Sequence, residues 1–394
     1  MATEGDLYGL DERRAVALVR PSTTWVEHRT LLYAHRAYSL PFFFRRLAAA
    51  LAARCGRVEA IDCLSEGAGH VEPLGERIAG PRSAAPAPVR CLRVGLSPGA
   101  LERRLRESGP FDQVWITSSH SYELGDLGEA IRAARRACPG ARVLVGGALG
   151  TLSPSAVREL GADVAHAGLL PAAEEPGDAR IGTIGFHIVS RGCPNRCSFC
   201  ANHLLEGRPR ARRLDELLAG IDRLIEAGAT LLCLYTPNMF ARRTETVVED
   251  LLAELASRDA SALFFTGLET SRLTPRRARA LFAARALDPM LPIQTLDPAI
   301  AAGFGRRGRG TPYEDAVAMM CDAGYAREQL AADVLIGHPA QTLEETMRTM
   351  CYLWSIGVTP LLFPYTMVPA TADHRRYREL VDGLDHIDLH SFLW

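Results

Sequence analysis

The run RGCPNRCSFC at residues 191–200 places three cysteines within eight positions, Cys193, Cys197 and Cys200, spaced C-x₃-C-x₂-C. Three thiolates can hold three irons of a cubane [4Fe–4S] cluster and leave the fourth iron open to a small molecule. A typical cluster is held by four cysteines, so a compact set of three points to chemistry at the open iron as well as electron storage. A structural zinc site takes four ligands, usually as two separated pairs, and no second C-x-x-C exists in the chain.

Outward from this loop, the pattern is that of repeated βα units. TIGFHIVS (183–190) reads as a strand that feeds into the cysteines. After the loop, helical patterns at 212–228, 244–257, 275–284, 313–325 and 342–357 alternate with strand patterns at 230–236, 262–269, 290–296, 331–337 and 359–369. Six strands with intervening helices predict a (β/α)6 partial barrel, in which function lies at the carboxyl ends of the strands.

The first half also alternates strands and helices. Strands are expected at 15–21, 58–64, 111–119, 141–147 and 163–169, with an edge strand at 89–97. Helices are expected at 40–56, 99–108 and 124–138, and residues 65–90 read as a long irregular loop. This predicts a Rossmann-like doubly wound parallel sheet over 1–170. A Pro- and Gly-rich linker at 171–182 follows, then the barrel at 183–370 and a tail or lid at 371–394. In an open parallel sheet a ligand sits outside the carboxyl ends of the strands. That places Ser118, Ser119, His120, Gly146, Gly147 and Leu149 on the candidate face, with His120 either facing a ligand or capping the next helix.

Composition narrows the chemistry. Of 394 residues 47% are apolar and 23% charged, with a net charge of −1. No basic field is present to attract nucleic acid. All 45 basic residues are Arg, so there is no lysine to hold pyridoxal phosphate or to complete a phosphate loop. The seven cysteines outside the motif are scattered in apolar runs and read as small buried hydrophobes. The start of the chain has no apolar leader core, and no apolar run reaches the ~18 residues of a membrane span. A cytoplasmic protein with reduced thiols is expected.

The cysteine spacing, with Phe199 just before the last Cys, resembles the radical S-adenosylmethionine (SAM) enzymes. The resemblance implies that SAM binds the open iron of a [4Fe–4S] cluster held by Cys193, Cys197 and Cys200. One-electron cleavage then gives methionine and a 5′-deoxyadenosyl radical that abstracts hydrogen from a substrate. The first half resembles the cobalamin-binding domain of the cobalamin-dependent class, through Gly146, Gly147, Thr151, Pro154, Gly161, Ala162 and Asp163. That resemblance implies cobalamin at Ser118–His120, Gly146, Gly147 and Leu149. The D-x-H-x-x-G run, whose His ligates cobalt in methyl-transfer domains, is absent.

IQTLDPAIAAGFGRRGRGTP, DAGY and DVLIGHPAQT are similar to the oxygen-independent coproporphyrinogen dehydrogenase branch. By that resemblance Glu269, Gln294, Arg306 and Asp333 hold SAM, with Arg307 and Arg309 as competitors for the Arg role. Where the family has a Gly-Gly-Glu-like turn, this chain has Tyr235-Thr236-Pro237-Asn238, and Tyr235 and Thr236 are assigned to SAM through their backbone. His386 and His390 have helical spacing, but no Glu-based zinc motif surrounds them.

The expected activity is cobalamin-dependent C-methylation of a small molecule in specialised metabolism, including antibiotic biosynthesis, fed by an external one-electron reductant such as flavodoxin or ferredoxin. No nucleic acid or membrane partner is expected. The alternatives are radical rearrangement, epimerisation, dehydration or sulfur insertion without methyl transfer, and a cobalamin or iron–sulfur sensor.

Overall fold

The structure is a computed structural model of the 394-residue chain. It describes residues 8, 10–26, 42–67, 70–79, 87–169, 179–264, 267–305, 312–385 and 389. The chain divides into two compact units, Met1–Glu175 with Thr366–Trp394, and Pro176–Tyr365.

The first unit contains β1 (Ala15–Arg20), β2 (Thr23–Val26), β3 (Arg57–Asp62), β4 (Val71–Ala79), β5 (Ala87–Val94), β6 (Gln113–Ser118), β7 (Arg142–Gly147) and β8 (Val164–Ala165). Five of these form a parallel sheet in the order β3-β1-β6-β7-β8. Numbered among themselves that is 2-1-3-4-5, a doubly wound order whose switch point lies between β1 and β6. The sheet is covered on both faces, so Val16–Val19 and Val143–Val145 read as continuous apolar runs rather than alternating ones. One layer packs Leu101, Leu105, Leu127 and Ile131 from two helices. The other packs Phe44, Leu47 and Leu51 against Trp115 and Leu144.

Residues 65–90 depart from the expected irregular loop. There β4 and β5 pair antiparallel, and with β2 they make a separate three-stranded sheet in the order β2-β5-β4. Ala87–Val94 is the centre of this sheet, where an edge strand at 89–97 was expected. The pattern was hidden because the described side chains of β4 are largely exposed and the strand is interrupted by a bulge between Pro73 and Gly75. ALGTL forms the short helix Ala148–Leu152.

The second unit contains β9 (Ala179–Ile181), β10 (Ile184–Ile188), β11 (Ser190–Arg191), β12 (Arg210–Ala211), β13 (Leu231–Tyr235), β14 (Ser261–Phe264), β15 (Ala331–Ile336) and β16 (Thr359–Pro364). β10, β13 and β14 are parallel neighbours, and β15 pairs parallel with β16. Two expectations are corrected. Residues 179–181, assigned to the linker, are strand β9, which turns at Gly182 (φ +59) and pairs antiparallel with β10. The strand expected at 290–296 is reduced to isolated bridges, Met290 to Ala331 and Gln294 to Val334. Pro289 and Pro292 lack the amide hydrogens a regular ladder needs, and Gln294 takes φ +59.

At β16 the amides of Thr359 and Tyr365 point to β15, where they donate to Leu330 O and Ile336 O. By alternation, positions 360, 362 and 364 face the other edge, and two of these are proline. Such an edge offers few donors to another strand. Among the described residues no helix is long and apolar enough to cross a membrane.

Candidate functional site

The cysteine loop leaves β11 at Gly192, whose φ is +73 and whose added Cβ would lie 2.3 Å from Arg208 O. Only glycine fits there. Cys197 is buried at 8% exposure, and Cys193 and Cys200 are partly buried. From one side Phe304 supports the loop: its carbonyl accepts from Ser198 N (3.2 Å), and its ring meets Phe199 edge-on at 5.3 Å. From the other, Glu206 accepts from Arg191 Nη1 (2.6 Å), Gly192 N (2.9 Å) and Tyr235 OH (2.9 Å).

The donor set fits a cubane cluster. Asn238 Nδ2 lies 4.0 Å from Cys193 Sγ, and Asn202 N donates to Cys200 Sγ at 3.5 Å. Hydrogen bonds to sulfur of this kind tune such clusters. Burial pushes the Cys193 thiol up, against the pull of the Asn195 amide and with Cys197 and Glu269 adding to the rise. A coordinated metal would reverse that by deprotonating the thiol. Among the described residues no three His, Cys, Asp or Glu side chains converge on a single ion. A cubane places its three thiolates on different irons, so it does not require that convergence.

Beside the loop, Glu269 Oε2 accepts from Asn195 Nδ2 (2.8 Å) and Asn238 Nδ2 (2.6 Å), and Ser271 Oγ donates to Oε1 (2.9 Å). Asn195 and Asn238 are the contacts that sequence reasoning did not assign. Gln294 is 7% exposed and tied by its backbone to Asp333, with N to Asp333 O at 2.8 Å. Among the described residues, Asn238 Oδ1, Gln294 Oε1 and Ser198 Oγ are buried without a hydrogen-bond partner. Buried polar atoms are nearly always satisfied, so these fit a polar ligand that would complete the site. Thr236 is fully buried, with Oγ1 2.6 Å from Ser190 Oγ, which leaves its hydroxyl engaged within the protein. Arg306, Arg307 and Arg309, and likewise His386 and His390, lie outside the described residues.

In the first unit, Ser118 Oγ donates to Gly146 O (2.8 Å) and accepts from Leu149 N (2.9 Å), stitching β6 to β7 and the helix after it. Leu149 is fully buried in the core. Gly147 has φ +86, and its Cβ would sit 2.1 Å from Ser118 O. Ser119 N and His120 N both donate to Glu123 Oε2 (3.2 and 3.0 Å), while the His120 ring meets Oε1 at 3.0 Å and stacks on Tyr122. Burial pulls the imidazole down, but the Glu123 carboxylate outweighs it and holds His120 above its ordinary value. His120 thus lies at the amino end of the helix Leu124–Ala137, joined to the Glu123 that precedes it.

Residues 187–353 match the Radical SAM superfamily. The chain carries a radical SAM domain. Such a domain implies a [4Fe–4S] cluster and SAM, and its match begins just before the cysteine loop. Curated relatives include the tRNA-2-methylthio-N(6)-dimethylallyladenosine synthase of Geobacter metallireducens, 28% identical over 52% of this chain and 47% of that protein. Another is the ribosomal protein uS12 methylthiotransferase RimO of Syntrophobacter fumaroxidans, 26% identical over 46% and 42%. The chain thus spans less than half the length of these relatives. Among solved structures, the radical S-adenosylmethionine methyltransferase TsrM from Kitasatospora setae, with tryptophan and a SAM analogue, superposes with TM-score 0.67. It covers 94% of this chain and 77% of that one at 16% identity. A second TsrM structure, with cobalamin and a [4Fe–4S] cluster, gives 0.65 over 94% and 76%, also at 16% identity. The likeness establishes a shared fold: a doubly wound parallel sheet followed by a radical SAM partial barrel.

Proposed function

We propose that this radical SAM enzyme carries out cobalamin-dependent C-methylation of a small molecule in specialised metabolism. The observation that carries the reading is the joining of a 2-1-3-4-5 sheet to a three-cysteine radical SAM domain, the combination whose fold matches TsrM. Cys193, Cys197 and Cys200 would hold the cluster, which when bound supplies one electron for SAM cleavage. Glu269, Gln294, Asp333 and Arg306 would grip SAM. Carboxylate and amide oxygens accept from ribose hydroxyls, and a guanidinium pairs with a carboxylate. Phe199 would shield one side of the site, and the backbone at Tyr235 and Thr236 would receive the SAM amino group.

Cobalamin would lie outside the carboxyl ends of β1, β6 and β7, near Ser118–His120, Gly146 and Gly147. The sheet order fits, since the switch point of a doubly wound sheet opens a crevice there. Bound cobalamin would supply a methyl carrier. The two units, Met1–Glu175 with Thr366–Trp394 and Pro176–Tyr365, serve this division of labour, with a flavodoxin or ferredoxin as electron donor in the cytoplasm.

A second reading has its own support. The curated relatives are methylthiotransferases acting on tRNA and a ribosomal protein, which favours sulfur insertion. A net charge of −1 argues against the many phosphate contacts that RNA affinity demands. The two readings separate in one experiment. Protein reconstituted anaerobically with cobalamin is given SAM labelled with CD₃ and the candidate substrates suggested by neighbouring genes. Methylation adds CD₃ alone; methylthiolation adds sulfur together with CD₃, and sulfur insertion without methyl transfer adds sulfur and no CD₃. Protein that retains no corrinoid after desalting would overturn the first reading.

A further inference from the structure

We propose that Arg191 and Glu206 are positioning residues for the cluster, which close the cysteine loop at its base and balance charge beneath it. The inference rests on Cys193, Cys197 and Cys200 being the cluster ligands. Both residues are buried, at 7% and 8% exposure. Glu206 bonds Gly192 N at one end of the loop, while its own backbone carbonyl accepts from Arg210 Nη1 (2.6 Å) at the other. The loop containing all three thiols is thereby tied through one residue, Glu206, by its carboxylate and its backbone carbonyl. Arg191 lies over the Tyr235 ring at 5.4 Å, and Tyr235 OH donates to the same Glu206 oxygen that Arg191 holds. The pairing of β11 with β12, Arg191 opposite Arg210, fixes the base from below.

Stability alone does not account for this arrangement. A buried ion pair costs much desolvation, and an apolar pair of similar size often serves as well or better. A cluster bound by three thiolates, however, adds negative charge beside the pair, and nearby charge sets a cluster's reduction potential. Arg191 and Glu206 together leave that charge unaltered, whereas either alone would not.

The test uses anaerobically reconstituted full-length protein. Iron and sulfide are counted, and the cluster midpoint potential is read by spin resonance in wild type, Arg191→Met, Glu206→Gln and the double variant. The expected shifts are opposite in sign: more negative for Arg191→Met, which removes a positive charge, and more positive for Glu206→Gln, which removes a negative one. The double variant should return close to wild type. Glu206→Ala, which also removes the bonds to Gly192 and Tyr235, should lose iron that Glu206→Gln retains. Two single variants shifting in the same direction, or not at all, overturn the charge balance, as does a double variant that loses its iron. Equal iron in Glu206→Ala and wild type overturns the loop closure. A wild-type protein that binds no iron overturns instead the ligand assignment beneath the inference.

Discussion

Cys197 is the most buried of the three loop thiols and carries the sharpest residue-scale expectation. Cys197→Ala should lose the cluster's visible absorption and all SAM cleavage, because two thiolates do not retain a cubane with one open iron. Cys138→Ala, in the other unit's core, should retain both. Arg306→Ala should weaken SAM binding by about 1.5–3 kcal/mol, the loss of one charge-assisted contact, with iron content unchanged. Equilibrium binding of SAM to the oxidised protein measures it, and an effect found only in Arg307→Ala or Arg309→Ala would move the contact along the chain. The thiols were legible from their C-x₃-C-x₂-C spacing, and Glu269 and Gln294 from the family resemblance. Asn195 and Asn238 were not. They meet Glu269 from 74 and 31 positions away, and an amide–carboxylate contact across such distances leaves no periodic mark in a sequence. Glu206 escaped for the same reason, being set apart from Tyr235 by a helix and a strand.

At the scale of elements, the junction of β6 and β7 constrains Gly147 within the protein itself. Gly147 reads as a position kept small for a broad macrocycle, yet the nearest obstacle is the protein's own Ser118 carbonyl, in a backbone conformation that side chains rarely adopt. Gly147→Ala should therefore lower the melting temperature of the protein even without cobalamin, and an unchanged melting curve would contradict this. The join between β2 and the helix Leu124–Ala137 gives a pH signature. Asp126 is 6% exposed and accepts from Thr24 N (2.8 Å) and Thr24 Oγ1 (2.7 Å). Burial pushes its carboxyl up to about 7, well above the ordinary value of 3.8. The folded state then binds a proton that the unfolded state has released, so this group's contribution falls as pH rises from about 4 to about 7. The stability difference between wild type and Asp126→Asn, followed by denaturant unfolding across that window, should move against wild type with rising pH. A difference independent of pH would refute it. The parallel strands were legible as apolar runs buried on both faces. β4 was not, since an exposed, bulged strand has no alternation to read.

At the scale of the whole molecule, both fold classes could be read from the order of strands and helices, because each βα repeat buries one apolar strand and one apolar helix face. The fourth barrel position escaped because two prolines leave only bridges where a strand pattern is written. The account's central claim is that three thiolates of one loop hold a cluster whose open iron receives SAM. It is tested most directly by low-temperature spin resonance of the anaerobically reconstituted, reduced protein, with iron and sulfide counted on the same sample. The account predicts about four irons and four sulfides per chain and a cluster signal whose g values move when SAM is added. Cys197→Ala should show neither the signal nor the shift. A wild-type spectrum indifferent to SAM, or a Cys197→Ala protein with the same cluster signal, would contradict it.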